Sequence, residues 1–112
     1  MGSKLSNSEK MKSLGAVHDF QQSNGWHAKF NATVLAEKTG TIFFNSKVDV
    51  VVSDYRNYYN VNISWEDNLS EDEDYHELGL FGYYSTDYCR MRYSSGALII
   101  HSDNNVKITI IC

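Results

Sequence analysis

The chain has 112 residues, 42% of them hydrophobic and 21% charged, with no proline and a net charge of −4. That length fits a single domain spanning 1–112, large enough to bury a core without metal or disulfide staples. The composition excludes a disordered chain, and the acidic balance argues against direct nucleic-acid binding.

No apolar run approaches the roughly 20 residues that a bilayer crossing needs. The opening "MGSKLSNSEKMKSLGAV" carries charges but no apolar stretch of a secretory signal. The expected localisation is cytoplasmic.

In chain order, "SNSEKMKSLGAVHDFQQSNG" reads as a helix. Ser6 with Glu9 fits a capping box, Met11, Leu14, Val17 and Phe20 mark the apolar face, and Asn24-Gly25 stops it. Gly15 interrupts the helical pattern, and residues 1–5 are expected to fray. The period then becomes two. In "WHAKFNATVLAE", Trp26, Ala28, Phe30, Ala32, Val34 and Ala36 form one buried face of a strand. "KTG" turns the chain, with Gly40 free to take positive φ.

"TIFFNSKVDVVVS" is the next strand, in which Asn45-Ser46 marks a bulge or a break. "DYRN" turns into "YYNVNISW", which alternates through Tyr59, Val61, Ile63 and Trp65. Beyond an acidic loop at 66–77, "ELGLFGYYS" and "YCRMRYS" read as strands. "ALIIHS" and "VKITIIC" follow after the turns "SSG" and "DNN". Short turns imply antiparallel pairing, and an apolar sheet face needs a cover. The expected fold is α+β, with the N-terminal helix packed on a curved, mostly antiparallel meander of six or seven strands. The alternative is a small all-β barrel capped by the helix.

In a simple meander the strand at 97–102 separates those bearing Cys89 and Cys112, about 10 Å apart across two strand spacings. A disulfide needs Cα atoms within about 7 Å. Two mostly buried thiols are therefore expected, in keeping with a reducing compartment.

Charge is segregated along the chain. Residues 57 to 89 hold eight acidic side chains and no Lys or Arg, whereas 1–56 and 90–112 each carry a net +2. Within that window "EDNLSEDEDYHE" has carboxylates in abundance, but it lacks the Gly and ligand order of a calcium loop. Two readings stay open, a solvated loop and a surface for a basic partner. All eight tyrosines lie between 55 and 93, and tyrosine combines a broad apolar face with a polar tip. Adjacent pairs such as Tyr58-Tyr59 and Tyr83-Tyr84 cannot both face a core. His18, His27, His76 and His101 show no zinc spacing, and His27 and His101 fall at polar strand positions.

The functional expectation is a non-enzymatic binding protein that inhibits a basic protein, such as a nuclease or another nucleic-acid-binding enzyme. Immunity proteins and phage inhibitors act in this way. Glu66, Asp67, Glu71, Asp72, Glu73 and Asp74 would steer the encounter, and Tyr58, Tyr75 and Tyr84 would anchor it. No cofactor, metal or membrane contact is expected. The alternatives are a self-associating β protein, with "VKITIIC" pairing across a homodimer, and a pocket protein holding a small apolar ligand.

Overall fold

The computed structural model describes residues 4–64, 83–102 and 105–112. Among the described residues one helix, α1 (Asn7–Ser23), precedes seven strands. These are β1 (Lys29–Lys38), β2 (Thr41–Asp54), β3 (Tyr59–Ser64), β4 (Tyr83–Ser85), β5 (Arg90–Ser94), β6 (Ala97–His101) and β7 (Lys107–Ile111). They form a single sheet ordered β4-β3-β2-β1-β7-β6-β5, antiparallel throughout. The sheet curls into a half-barrel with α1 packed on it, which joins the expected α+β fold with its barrel-like alternative.

The helix begins where its sequence directs. Ser6 is extended and its hydroxyl accepts the Glu9 amide at 3.3 Å, satisfying one of the orphan donors of the first turn. The Glu9 carboxylate does not complete a capping box but is engaged by Arg90. At the other end the Asn24 side chain donates to the Phe20 carbonyl at 2.8 Å, and Gly25 takes φ 85°. The buried face is Ser13, Ala16, Val17, Phe20 and Gln21, whereas Met11 is 65% exposed and Leu14 half-buried. This corrects the expected face. Met11 and Phe20 are nine residues apart, about two and a half helical turns, so a spacing of three carries them to opposite sides.

Leu5 is also corrected. Its amide donates to the Asp87 carbonyl at 2.8 Å, so it is held rather than frayed. The first strand starts later than the alternation implied. Phe30, Ala32, Val34 and Ala36 are buried, but Trp26 and Ala28 are exposed. Positive φ at both Gly25 and Trp26 keeps the chain turning until Lys29.

The hairpin turns follow from local chemistry. Thr39 and Gly40 link β1 to β2, and Ser95 and Gly96 link β5 to β6, all four with positive φ. Two such residues in succession match the twist of the strands they join. Asn45-Ser46 marks a bulge and not a break. Ala32 pairs with Val48 and Val34 with Asn45, so β2 carries one extra residue there. That residue reconciles two phases, since Phe43 and Val48 both point inward although they are five positions apart.

Closure depends on β7 returning to β1, and on the four residues between β4 and β5. Six antiparallel pairings separate those edge strands, so they run in the same direction. Four residues are too few for a parallel crossover, so the chain steps from one edge of the curled sheet to the other. Thr86, fully buried, holds the step. Its amide donates to the Tyr59 carbonyl and its hydroxyl accepts the Tyr59 amide, both at 3.0 Å.

Helix α1 lies along β5. Val17 and Phe20 are fully buried, and the Phe20 ring meets Phe30 edge-on at 5.2 Å and Tyr93 at 6.3 Å. Fully burying a side chain of this size stabilises by about 2–3 kcal/mol. With Val50, Ile100, Ile108 and Ile110 these residues make one continuous core. Among the described residues no helix is long and apolar enough to cross a membrane.

Candidate functional site

The exposed side of α1 faces the turn between β2 and β3 across an open groove of about 640 Å³. The helix contributes Lys10, Met11, Leu14, Gly15 and His18 to the lining. The turn contributes Asp54, Tyr55, Arg56, Tyr58 and Tyr59. Asp54 and Tyr59 are the last register pair of the two strands, so they form the base of the turn and Arg56 lies at its tip. The Tyr55 amide donates to the Tyr58 carbonyl at 2.9 Å. This closure stacks the two rings, with centroids 4.7 Å apart and planes inclined by only 9°.

Charge in the groove is mixed. Lys10 pairs with Asp87 at 2.8 Å. Among the described residues no carboxylate lies within ion-pair distance of Arg56. Burial, and then the nearby Asp54 carboxylate, push the Tyr59 phenol above its ordinary value. The His18 ring is held edge-on against Trp26 at 4.7 Å.

The sequence-derived site divides. Glu66, Asp67, Glu71, Asp72, Glu73, Asp74 and Tyr75 lie outside the described residues, as do His76 and Trp65. The strands flanking that segment are placed, however. β3 ends at Ser64, β4 begins at Tyr83, and the two are neighbours with Asn62 opposite Tyr83. The groove sits at the other end of β3, so Tyr58 belongs to the groove and not to the strand ends that lead into the acidic segment.

Tyr84 requires a correction. It is 7% exposed and part of the core, while Tyr83 beside it is 70% exposed. Because β4 alternates, only one of the adjacent tyrosines faces out, and the register of Val61 with Tyr84 decides which. Dimerisation through β7 is corrected too, since that strand lies between β1 and β6 with both edges paired. Both thiols are free, as expected, but only Cys89 is buried, whereas Cys112 is exposed. His27 and His101 are exposed, as expected, although His27 precedes β1 and only His101 lies on a strand.

Sequence reasoning missed the groove because its walls lie some forty residues apart in the chain. The available signals were Gly15 inside a helical pattern and two tyrosines spaced across a turn. Among the described residues no cluster of His, Cys, Asp and Glu is arranged to hold a metal. No family model, no curated protein and no solved structure matches this chain.

Proposed function

We propose that the protein acts by binding, without catalysis of its own, and that its target is a basic protein such as a nuclease or another nucleic-acid-binding enzyme, which it inhibits. The observation that carries this reading is the placement of the acidic window's two ends. Asn62 and Tyr83 pair across neighbouring strands at the sheet edge, and the segment between them holds seven acidic side chains and no basic one. A concentrated negative charge of that kind accelerates encounter with a basic surface and rejects acidic competitors. Tyr83, exposed at the first residue of β4, supplies the aromatic anchor in place of Tyr84. An immunity protein or a phage inhibitor has this kind of task.

The test pairs charge with aromatic contact. A variant carrying Glu71→Gln, Asp72→Asn, Glu73→Gln and Asp74→Asn is measured for inhibition of a panel of basic nucleases at low and high salt. For the nuclease inhibited by the parent protein, the association rate of the variant falls roughly tenfold or more at low salt. Tyr83→Ala acts mainly on dissociation. Unchanged affinity and unchanged salt dependence in the four-acid variant would exclude the proposal.

A further inference from the structure

We infer that the groove between α1 and the β2–β3 turn is a second binding site, for a small ligand with a flat apolar body and one negative charge. This inference is independent of the basic-protein reading, because the groove lies at the opposite end of β3 from the acidic segment's attachment.

Gly15 is the first argument. Glycine within a helix is less favourable than alanine by roughly 0.5–1 kcal/mol, and it persists where the backbone needs freedom or where something must approach closely. Gly15 takes no positive φ, and a Cβ placed on it would meet nothing within 4 Å. Among the described residues no contact requires glycine here, yet the residue lines the groove. Its bare backbone leaves a shallow seat in the helix wall, of the kind that admits the edge of a ring.

The composition of the walls gives the second argument. Tyr55 and Tyr58 bring stacked rings to one side, and Met11 and Leu14 bring pliable apolar side chains to the other. Met11 is largely exposed, and methionine adapts readily to an aromatic partner. A volume of about 640 Å³ falls within the usual span of small-ligand sites.

Charge sets the ligand's sign. Asp54 sits at the base of the turn beside Tyr59, whereas Arg56 is at the tip, where a ligand's acidic group reaches the mouth of the groove. Lys10 is already engaged by Asp87, which among the described residues leaves Arg56 as the unpaired cation of the groove. A guanidinium matches the geometry of carboxylate, sulfonate or phosphate oxygens.

Anilinonaphthalene sulfonate, an aromatic anion whose fluorescence rises on binding, tests the assignment beside its uncharged analogue phenylnaphthylamine. The folded 112-residue chain is expected to bind the sulfonate saturably, at one site per chain. Gly15→Ala is expected to raise the melting temperature by about 3 °C while weakening the probe roughly tenfold. A purely structural glycine would give the first effect without the second. Arg56→Gln is expected to weaken the sulfonate about threefold at low salt and to leave the neutral analogue unchanged. Met11→Glu, at an exposed position that folding tolerates, is expected to repel the anion. Phe44→Ser, at an exposed position on β2 away from the groove, should change nothing. Unsaturable binding, indifference to Gly15→Ala, or loss of the probe in Phe44→Ser overturns the site. Equal loss of both probes in Arg56→Gln overturns the choice of an anion.

Discussion

The Ser13 hydroxyl accepts the backbone N–H of Met91 at 3.0 Å, 78 residues away in the chain and fully inside the protein. The same hydroxyl donates to the Cys89 carbonyl at 3.1 Å, so one small side chain fastens α1 to the start of β5. Among the described strands β5 is a sheet edge, and none of them pairs with its helix-side amides. Ser13 supplies the missing acceptor within a helix face that is otherwise apolar except for Gln21 at its far end. Replacing it with alanine strands the Met91 amide away from water. Ser13→Ala is expected to cost about 2 kcal/mol, read as a lower urea midpoint with an unchanged slope. A loss under about 0.5 kcal/mol would mean that water or a small backbone shift replaces the serine.

Two ion pairs flank that fastening, and they should differ in strength. Lys10 and Asp87 meet at 2.8 Å with side chains 26% and 14% exposed. Arg90 and Glu9 meet at 3.0 Å with 69% and 39% exposed. Solvent screens the second pair more, and holding two long side chains at the surface costs entropy. Double-mutant cycles are expected to give about 1 kcal/mol of coupling for Lys10 with Asp87, and under about 0.5 kcal/mol for Arg90 with Glu9. The reverse order would show that the paired oxygens of Glu9 outweigh its exposure.

What the sequence revealed was governed by neighbours in the chain. The cap at Ser6, the stop at Asn24-Gly25, the alternation through Phe30 to Ala36 and the turns at Gly40 and Gly96 all depend on residues within a few positions. What it concealed depends on partners far away. Whether Tyr83 or Tyr84 faces out is set by pairing with β3, some twenty residues back. The direct pairing of β1 with β7 is set by residues more than seventy apart, such as Val34 and Ile110. The helix is an intermediate case. Its extent was legible, but a spacing of three was compatible with two faces. Only the contact with β5 selects Ser13, Val17 and Phe20 over Met11. The groove joins Leu14 to Tyr58, and the hints in the two segments, Gly15 and the paired tyrosines, acquire meaning only once the fold brings them together.

The two cysteines make a simple clock for opening of the structure. Cys112 is exposed at the end of β7, whereas Cys89 is buried under α1 beside the Ser13 contact. Burial nonetheless raises the Cys112 thiol above its usual value, so less of the reactive thiolate forms at neutral pH. A disulfide-exchange reagent under native conditions is expected to modify Cys112 alone, more slowly than a free thiol in solution. Cys89 should react only as fast as α1 and β5 separate, and Ser13→Ala should accelerate it. Simultaneous labelling of both thiols in the intact protein would contradict the packing of the helix.

His101 gives the fold a defined acid response. In the β-ladder it stands opposite Arg90 of β5 and Lys107 of β7. Partial burial lowers its pKa below the ordinary 6.5, and the charges of Arg92, Lys107 and Arg90 lower it further. A histidine that holds its proton less tightly when folded makes the unfolded chain the better proton acceptor, so stability rises with pH in this range. Its contribution is complete above the unfolded value near 6.5 and is lost as pH falls toward the lower folded value. A proton NMR titration is expected to place His101 below 6.5. Molar salt should bring it only part of the way back, because salt screens the arginines and the lysine but does not undo burial. Arg92→Gln should raise it in low salt by removing one of the three cations, and His101→Gln should flatten the pH dependence of the urea midpoint through this interval. A titration at or above 6.5 would mean that the outer face of β5, β6 and β7 does not hold these cations close to the ring.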